Sequence, residues 1–193
     1  MPKIMRPAGE NVNHGSRKTG SFDRVFAPPH AAAMAPRIHL LEVDQFLPAP
    51  LEEVFPFFAE ARNLEALTPP WLKFHVLTPE PILMSRGARI EYRLRIRGFP
   101  VGWESEITAW EPPHRFVDEQ RRGPYRIWIH EHTFEREGTG TRTRDRIQYA
   151  APGGELVRRF LVEPDVRVIF SYRRRILAER FPGPSGQQPA SLL

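Results

Sequence analysis

From Leu72 to Tyr149 apolar and polar residues alternate with a period of two, and after the breaker Ala151-Pro-Gly-Gly154 the pattern becomes that of one long helix. Consecutive strands joined by short turns pair antiparallel. A helix that arrives after all of them can bury its apolar face only against the sheet they make. The expected class is therefore α+β, a curved antiparallel sheet wrapped around a C-terminal helix, with a cavity between the two layers.

The part before Leu72 fits this plan. Ile38 to Phe46 is β-branched and alternating, and reads as a strand. Leu51, Val54, Phe55, Phe58 and Ala61 then recur at helical spacing behind Pro50, with Glu52 and Glu53 near the positive end of the helix dipole and Pro56 expected to bend the helix. Asn63 to Leu67 predicts a second short helical turn, stopped by Thr68-Pro-Pro70. Phe74 and Val76 open the period-two region. Ile90, Tyr92, Leu94 and Ile96 then alternate with Glu91, Arg93, Arg95 and Arg97, an outer face expected to be solvated. Gly98-Phe-Pro100 is read as the turn into Val101–Trp110, and strands Arg115–Arg121 and Tyr125–Glu135 follow. The closing helix is expected over about 155–181, bent at Pro164, with Leu156, Phe160, Val166, Phe170, Arg173 and Leu177 on its apolar face.

One hairpin carries most of the chemistry. Whether its turn is Gly138-Thr139 or Thr139-Gly140, even positions of the first strand share a face with odd positions of the second. Arg126, Trp128, His130, His132 and Phe134 thus face with Thr143, Asp145, Ile147 and Tyr149, while Arg144, Arg146 and Glu131 fall on the opposite, wetter side. Two histidines and a carboxylate among aromatics each need a partner, since a buried polar group left unpaired costs roughly 1–3 kcal/mol. His130 and His132 admit three readings: hydrogen-bonded pocket residues without chemistry, the favoured one; an acid/base pair oriented by Asp145; or metal ligands completed by Asp145 or His75. No metal is assigned. Phe116, Asp118 and Gln120 share a second face whose side, inner or outer, stays open.

Charge and composition exclude other classes. The net charge of +5 suggests a polyanion partner, yet residues 1–36 hold +3 of it, and the remainder is nearly balanced. Nucleic acid is not an expected partner. Residues 1–36 and 182–193 are Pro-, Gly- and Ala-rich without periodicity and are expected to be tails around a domain of residues 37–181. The chain has no cysteine, which excludes disulfides and thiolate chemistry, and no apolar run long enough to span a bilayer. It also lacks a phosphate-binding glycine loop, a dinucleotide fingerprint, a serine-centred elbow and a His-Glu-x-x-His, so no cofactor is expected. With no apolar secretory core near the start, a cytoplasmic protein is expected.

Several uncommon residues recur in a recognisable order: Leu47-Pro48, Val54-Phe55, Phe57-Phe58, Asn63-Leu64, Leu67-Thr-Pro-Pro-Trp71, Trp103, Phe116-Val-Asp-Glu-Gln120, Gly123-Pro-Tyr125, Trp128-x-His130-x-His132-x-Phe134, Asp145-x-x-x-Tyr149 and Phe170-x-Tyr172-Arg173. This string resembles the bacterial ligand-binding branch of the START-like SRPBCC superfamily, whose members are described as polyketide cyclase/dehydrase-like and often labelled cell division inhibitors. The resemblance implies a helix-grip (START/Bet v 1-like) fold around a deep apolar pocket, and binding or carriage of a small hydrophobic molecule such as a lipid, polyketide or quinone. A cofactor-independent cyclase, dehydratase or hydrolase is the alternative it leaves, because the fold does not choose a reaction. The pocket candidates it implies are Trp103, Gln120, Tyr125, Trp128, His130, His132, Asp145 and Tyr149. Among them His130, His132 and Asp145 are the residues that could move a proton.

Overall fold

The computed structural model describes residues 36–183. The expected tails, apart from Pro36 and residues 182–183, lie outside the described residues. Strand β1 (His39–Leu47) leads into helices α1 (Leu51–Ala59) and α2 (Asn63–Leu67), then a single 3₁₀ turn at Pro70–Leu72. Six strands follow: β2 (His75–Val76), β3 (Arg89–Ile96), β4 (Phe99–Glu111), β5 (Arg115–Arg122), β6 (Ile127–Glu137) and β7 (Gly140–Ala150). They form one antiparallel sheet in the order β1-β7-β6-β5-β4-β3-β2, so β1 returns to the far edge beside β7. The chain closes with α3 (Gly154–Val157), a wider π turn (Arg158–Val162) and α4 (Glu163–Arg180).

The β6–β7 hairpin settles its own register. Its turn is Gly138-Thr139, with Gly138 at φ +57°, and His132 pairs with Asp145 while Trp128 pairs with Tyr149. Every second side chain then points to the concave face: His130, His132, Phe134, Thr143, Asp145, Ile147 and Tyr149 are buried, whereas Arg144 and Arg146 are exposed. Arg126 departs from the expectation, because the strand begins one residue later and leaves it in solvent. The β3–β4 turn also differs. Its two turn residues are Arg97 and Gly98, both at positive φ, and Phe99 and Pro100 already belong to β4. Register shifts between β4 and β5, at Glu104/Ser105 and Ile107/Ala109, put extra residues into the ladder and bend the long strand.

Two apolar clusters join the layers. Around α1, Leu47, Leu51, Val54, Phe55 and Phe58 pack with Phe116, Phe134, Leu177 and Phe181. Across the sheet centre, Ile147 and Tyr149 meet Val166 and Phe170 of α4. Pro50 caps α1 in an extended conformation, and Pro56 lies inside that helix. The closing helix is the main correction to the expected core. Pro164 follows directly on the π turn at Arg158–Val162, where the helix widens, and Leu156 and Phe160 before it lie off the core-facing stripe. Leu156 and Phe160 consequently stand 72% and 65% exposed, and the buried stripe is Val166, Phe170, Arg173 and Leu177. No helix among the described residues is long and apolar enough to cross a membrane.

Candidate functional site

Between the concave face of the sheet and α4 lies a cavity of about 520 Å³, within the roughly 300–1,000 Å³ range of small-molecule sites. Its walls include Phe58, Leu67, Tyr92, Trp103, Trp128 and Phe170. The aromatic side is continuous: Tyr92 stacks on Trp103 with centroids 5.8 Å apart, and Trp103 meets the edge of Trp128 at 5.4 Å. Arg97 on the β3–β4 turn donates from Nε and Nη2 to the two carboxylate oxygens of Asp165 on α4, each at 3.0 Å, and both residues also border the cavity.

A buried polar cluster is set into the apolar lining. The β5–β6 register sets Asp118 opposite His130, and the β6–β7 register sets His132 opposite Asp145, so three adjacent strands bring two imidazoles between two carboxylates. His130 Nε2 is 3.1 Å from Asp145 Oδ1, and His132 Nε2 is 3.4 Å from Asp118 Oδ2. His132 Nδ1 lies closer still to Asp145 Oδ1, at 2.7 Å, but without the alignment a hydrogen bond requires, so this contact acts through charge. Below Asp118 a short chain continues into the aromatic wall. Ser105 Oγ donates to Asp118 Oδ1 at 3.3 Å and accepts from Trp103 Nε1 at 3.1 Å and from the Tyr92 hydroxyl at 2.9 Å.

Burial and charge pull these groups apart. For His130, burial and the neighbouring His132 charge outweigh the two carboxylates and lower its pKa. For His132, burial is outweighed by Asp145 and Asp118, and the pKa is raised. Burial alone would raise both aspartates. The histidines hold Asp118 down, while Arg173 and His132 hold Asp145 well below the usual carboxylate range. At neutral pH the arrangement is two carboxylates facing an arginine, a histidine that favours the proton and a histidine that resists it.

Of the sequence candidates, Trp103, Tyr125, Trp128, His130 and His132 line the cavity. Gln120 ties a loop instead, donating from Nε2 to Tyr125 O at 2.7 Å and accepting from Tyr125 N–H at 3.2 Å. Asp145 stands behind the histidines, and Tyr149 is packed against Val166 and Phe170. Two important residues were missed. Asp118 lies on the inner face of β5, a side that alternation within one mixed strand leaves open and that the pairing with His130 decides. Arg173 carried a signal, an arginine at the core spacing of an apolar helix face, and it is buried. Asp118, His130 and His132 also offer donor atoms within 4.8 Å of one another, a set able to hold a cation only by displacing their mutual contacts; His75 is exposed on β2, away from them.

A seven-stranded antiparallel sheet closed over a C-terminal helix, with an apolar cavity between them, defines the helix-grip class of binding folds. The chain belongs to the polyketide cyclase/dehydrase and lipid transport family, which it matches over residues 47–171. No curated protein matches the chain. Among solved structures, protein CV1439 from Chromobacterium violaceum superposes with a TM-score of 0.60 at 14% identity, covering 75% of this chain and 98% of that one. TTHA0849 from Thermus thermophilus gives 0.53 at 23% identity (74% and 99% covered), and the ginseng major latex-like protein 151 from Panax ginseng gives 0.57 at 10% (75% and 98%). These likenesses concern the fold.

Proposed function

We propose that the protein binds, and carries, a small hydrophobic molecule in the cavity between sheet and α4. The observation that supports this most directly is the cavity itself, about 520 Å³ walled largely by aromatic and aliphatic side chains, with Asp118, His130 and His132 set into one wall. Aromatic walls supply affinity by excluding water from apolar surface, and His130 and His132, oriented by Asp118 and Asp145, fix the polar end. Trp103, Tyr125 and Trp128 are the wall residues assigned to this role, Gln120 holds the Tyr125 loop in place, and Tyr149 backs the wall. Native mass spectra of the full chain, taken before and after denaturation, test the reading together with thermal shifts against a panel of lipids, quinones and aromatic polyketides. A co-purifying mass lost on denaturation, or a concentration-dependent rise in Tm, supports it. A chain that is empty and stabilised by none of the panel overturns it.

A second reading, proton-transfer catalysis of a cyclisation, dehydration or hydrolysis, draws on one specific observation: two adjacent histidines in the cavity whose pKa values are pushed in opposite directions. Its mark is turnover of an aromatic polyketide with a bell-shaped pH dependence of kcat/KM that Asp145→Asn removes.

A further inference from the structure

Arg173 is a charge that the fold buries without pairing fully. It is 8% exposed, it borders the cavity, and its guanidinium lies over the Phe58 and Phe170 rings at 5.4 and 6.0 Å. The carboxylate within its reach is Asp145, whose Oδ2 stands 4.0 Å from Nε, beyond hydrogen-bond distance. Nε has no hydrogen-bond partner among the described residues. Asp145 holds His130 through Oδ1, with His132 alongside, and its Oδ2 faces Arg173 without reaching hydrogen-bond distance. Arginine is never uncharged in a protein and presents a planar fork of donors that matches a carboxylate. Leaving such a group half-satisfied in an apolar wall is costly unless something else completes it.

We propose that Arg173 is an anion-binding subsite and that the molecule taken up is an apolar body ending in a carboxylate seated on its guanidinium. This rests on the cavity reading above and specifies it. The histidine–aspartate cluster adjoins this subsite, with Asp145 Oδ2 4.0 Å from Arg173 Nε, so the polar end of the cavity that His130 and His132 define is also the end that receives the carboxylate.

The test uses two matched pairs that differ only in headgroup: 1-pyrenebutyrate against 1-pyrenebutanol by fluorescence, and dodecanoate against dodecanol by displacement of the pyrene probe. The wild-type chain is expected to bind the carboxylate of at least one pair tenfold or more tightly than its alcohol. Arg173→Gln is expected to erase that ratio while leaving the alcohol's affinity within threefold, and Arg173→Lys to retain part of the ratio. Equal affinities for acid and alcohol in both wild-type pairs, a comparison that needs no substitution, overturn the anion subsite but leave the apolar cavity standing. A ratio that survives Arg173→Gln overturns the assignment to Arg173. Failure of all four molecules to bind overturns the cavity reading and the subsite with it.

Discussion

Asp145 shows how one residue can be structural and functional at once. It is buried, it faces His130, His132 and Arg173, and its pKa is held well below 3.8. Such a carboxylate contributes stability that is present above its unfolded pKa and is lost as pH falls through the folded value. His132 runs the other way: its raised pKa contributes stability that is full below about 6.5 and fades as pH rises through the folded value. His130, with a lowered pKa, is folded neutral and costs stability as pH drops below about 6.5. The histidines therefore oppose each other near neutrality, and the aspartates govern the acid limb. Urea midpoints measured from pH 3 to 9 should fall steeply at the acid end, and Asp145→Asn should flatten that fall while lowering stability at pH 7 by about 3 kcal/mol, the order expected for breaking a buried ion pair. An acid limb of unchanged slope in the variant would contradict the linkage.

At the scale of elements, the β3–β4 turn and the start of α4 are joined by Arg97. Two hydrogen bonds reach Asp165, and a third, from Nη2, reaches the Leu161 carbonyl at 3.3 Å. The pair is half exposed, so it should add no more than about 1 kcal/mol to stability. Its effect should be kinetic, since it ties one border of the cavity to the other. Arg97→Gly isolates that effect, because the residue sits at φ +50°, a conformation glycine adopts without steric cost. The variant is expected to keep its Tm within a few degrees while bound 1-pyrenebutyrate dissociates several-fold faster in stopped-flow exchange. An unchanged dissociation rate would show that the ligand leaves by another route. The packing of α1 calls for a different experiment. Phe134 is 1% exposed and meets Phe55 and Phe58 edge-on at 5.4 and 5.0 Å. Phe134→Ala should cost about 3–5 kcal/mol by equilibrium unfolding, because rigid strands close such a void poorly.

For the whole molecule, the cavity is a gap in an otherwise dense core, and it makes stability depend on what fills it. A ligand that binds only the folded state at one hundred times its Kd adds about 2.7 kcal/mol. Wild-type protein titrated with 1-pyrenebutyrate should therefore rise in Tm with the logarithm of concentration, whereas Arg173→Gln should need at least tenfold more probe for the same shift. The surface is held differently. Across the convex face, Asp44 takes Arg142 and Arg144 at 2.8 and 3.0 Å, and Glu106 takes Arg89 and Arg121 at 3.0 and 3.1 Å. These pairs absorb much of the basic charge that composition alone suggests is free for a polyanion.

The amino-acid sequence was enough for the order of elements and for the inner face of the β6–β7 hairpin. Both follow from local rules, the period of apolar residues and the parity that a two-residue turn imposes on His130, His132 and Asp145. The closing helix begins where expected, but Leu156 and Phe160 fit a helical stripe as well as Val166 and Phe170 do, and across the π turn at 158–162 they lie exposed instead of on the core side. Asp118 and Arg173 depended on tertiary structure for a different reason. The side taken by a mixed strand such as β5 is set by its neighbour's register, and whether an arginine on a helix faces water or a cavity is set by how the helix lies on the sheet. Periodicity along the chain specifies which residues share a face, but the charge environment of a face is made by residues far apart in sequence, and those distances exist only once the layers have packed.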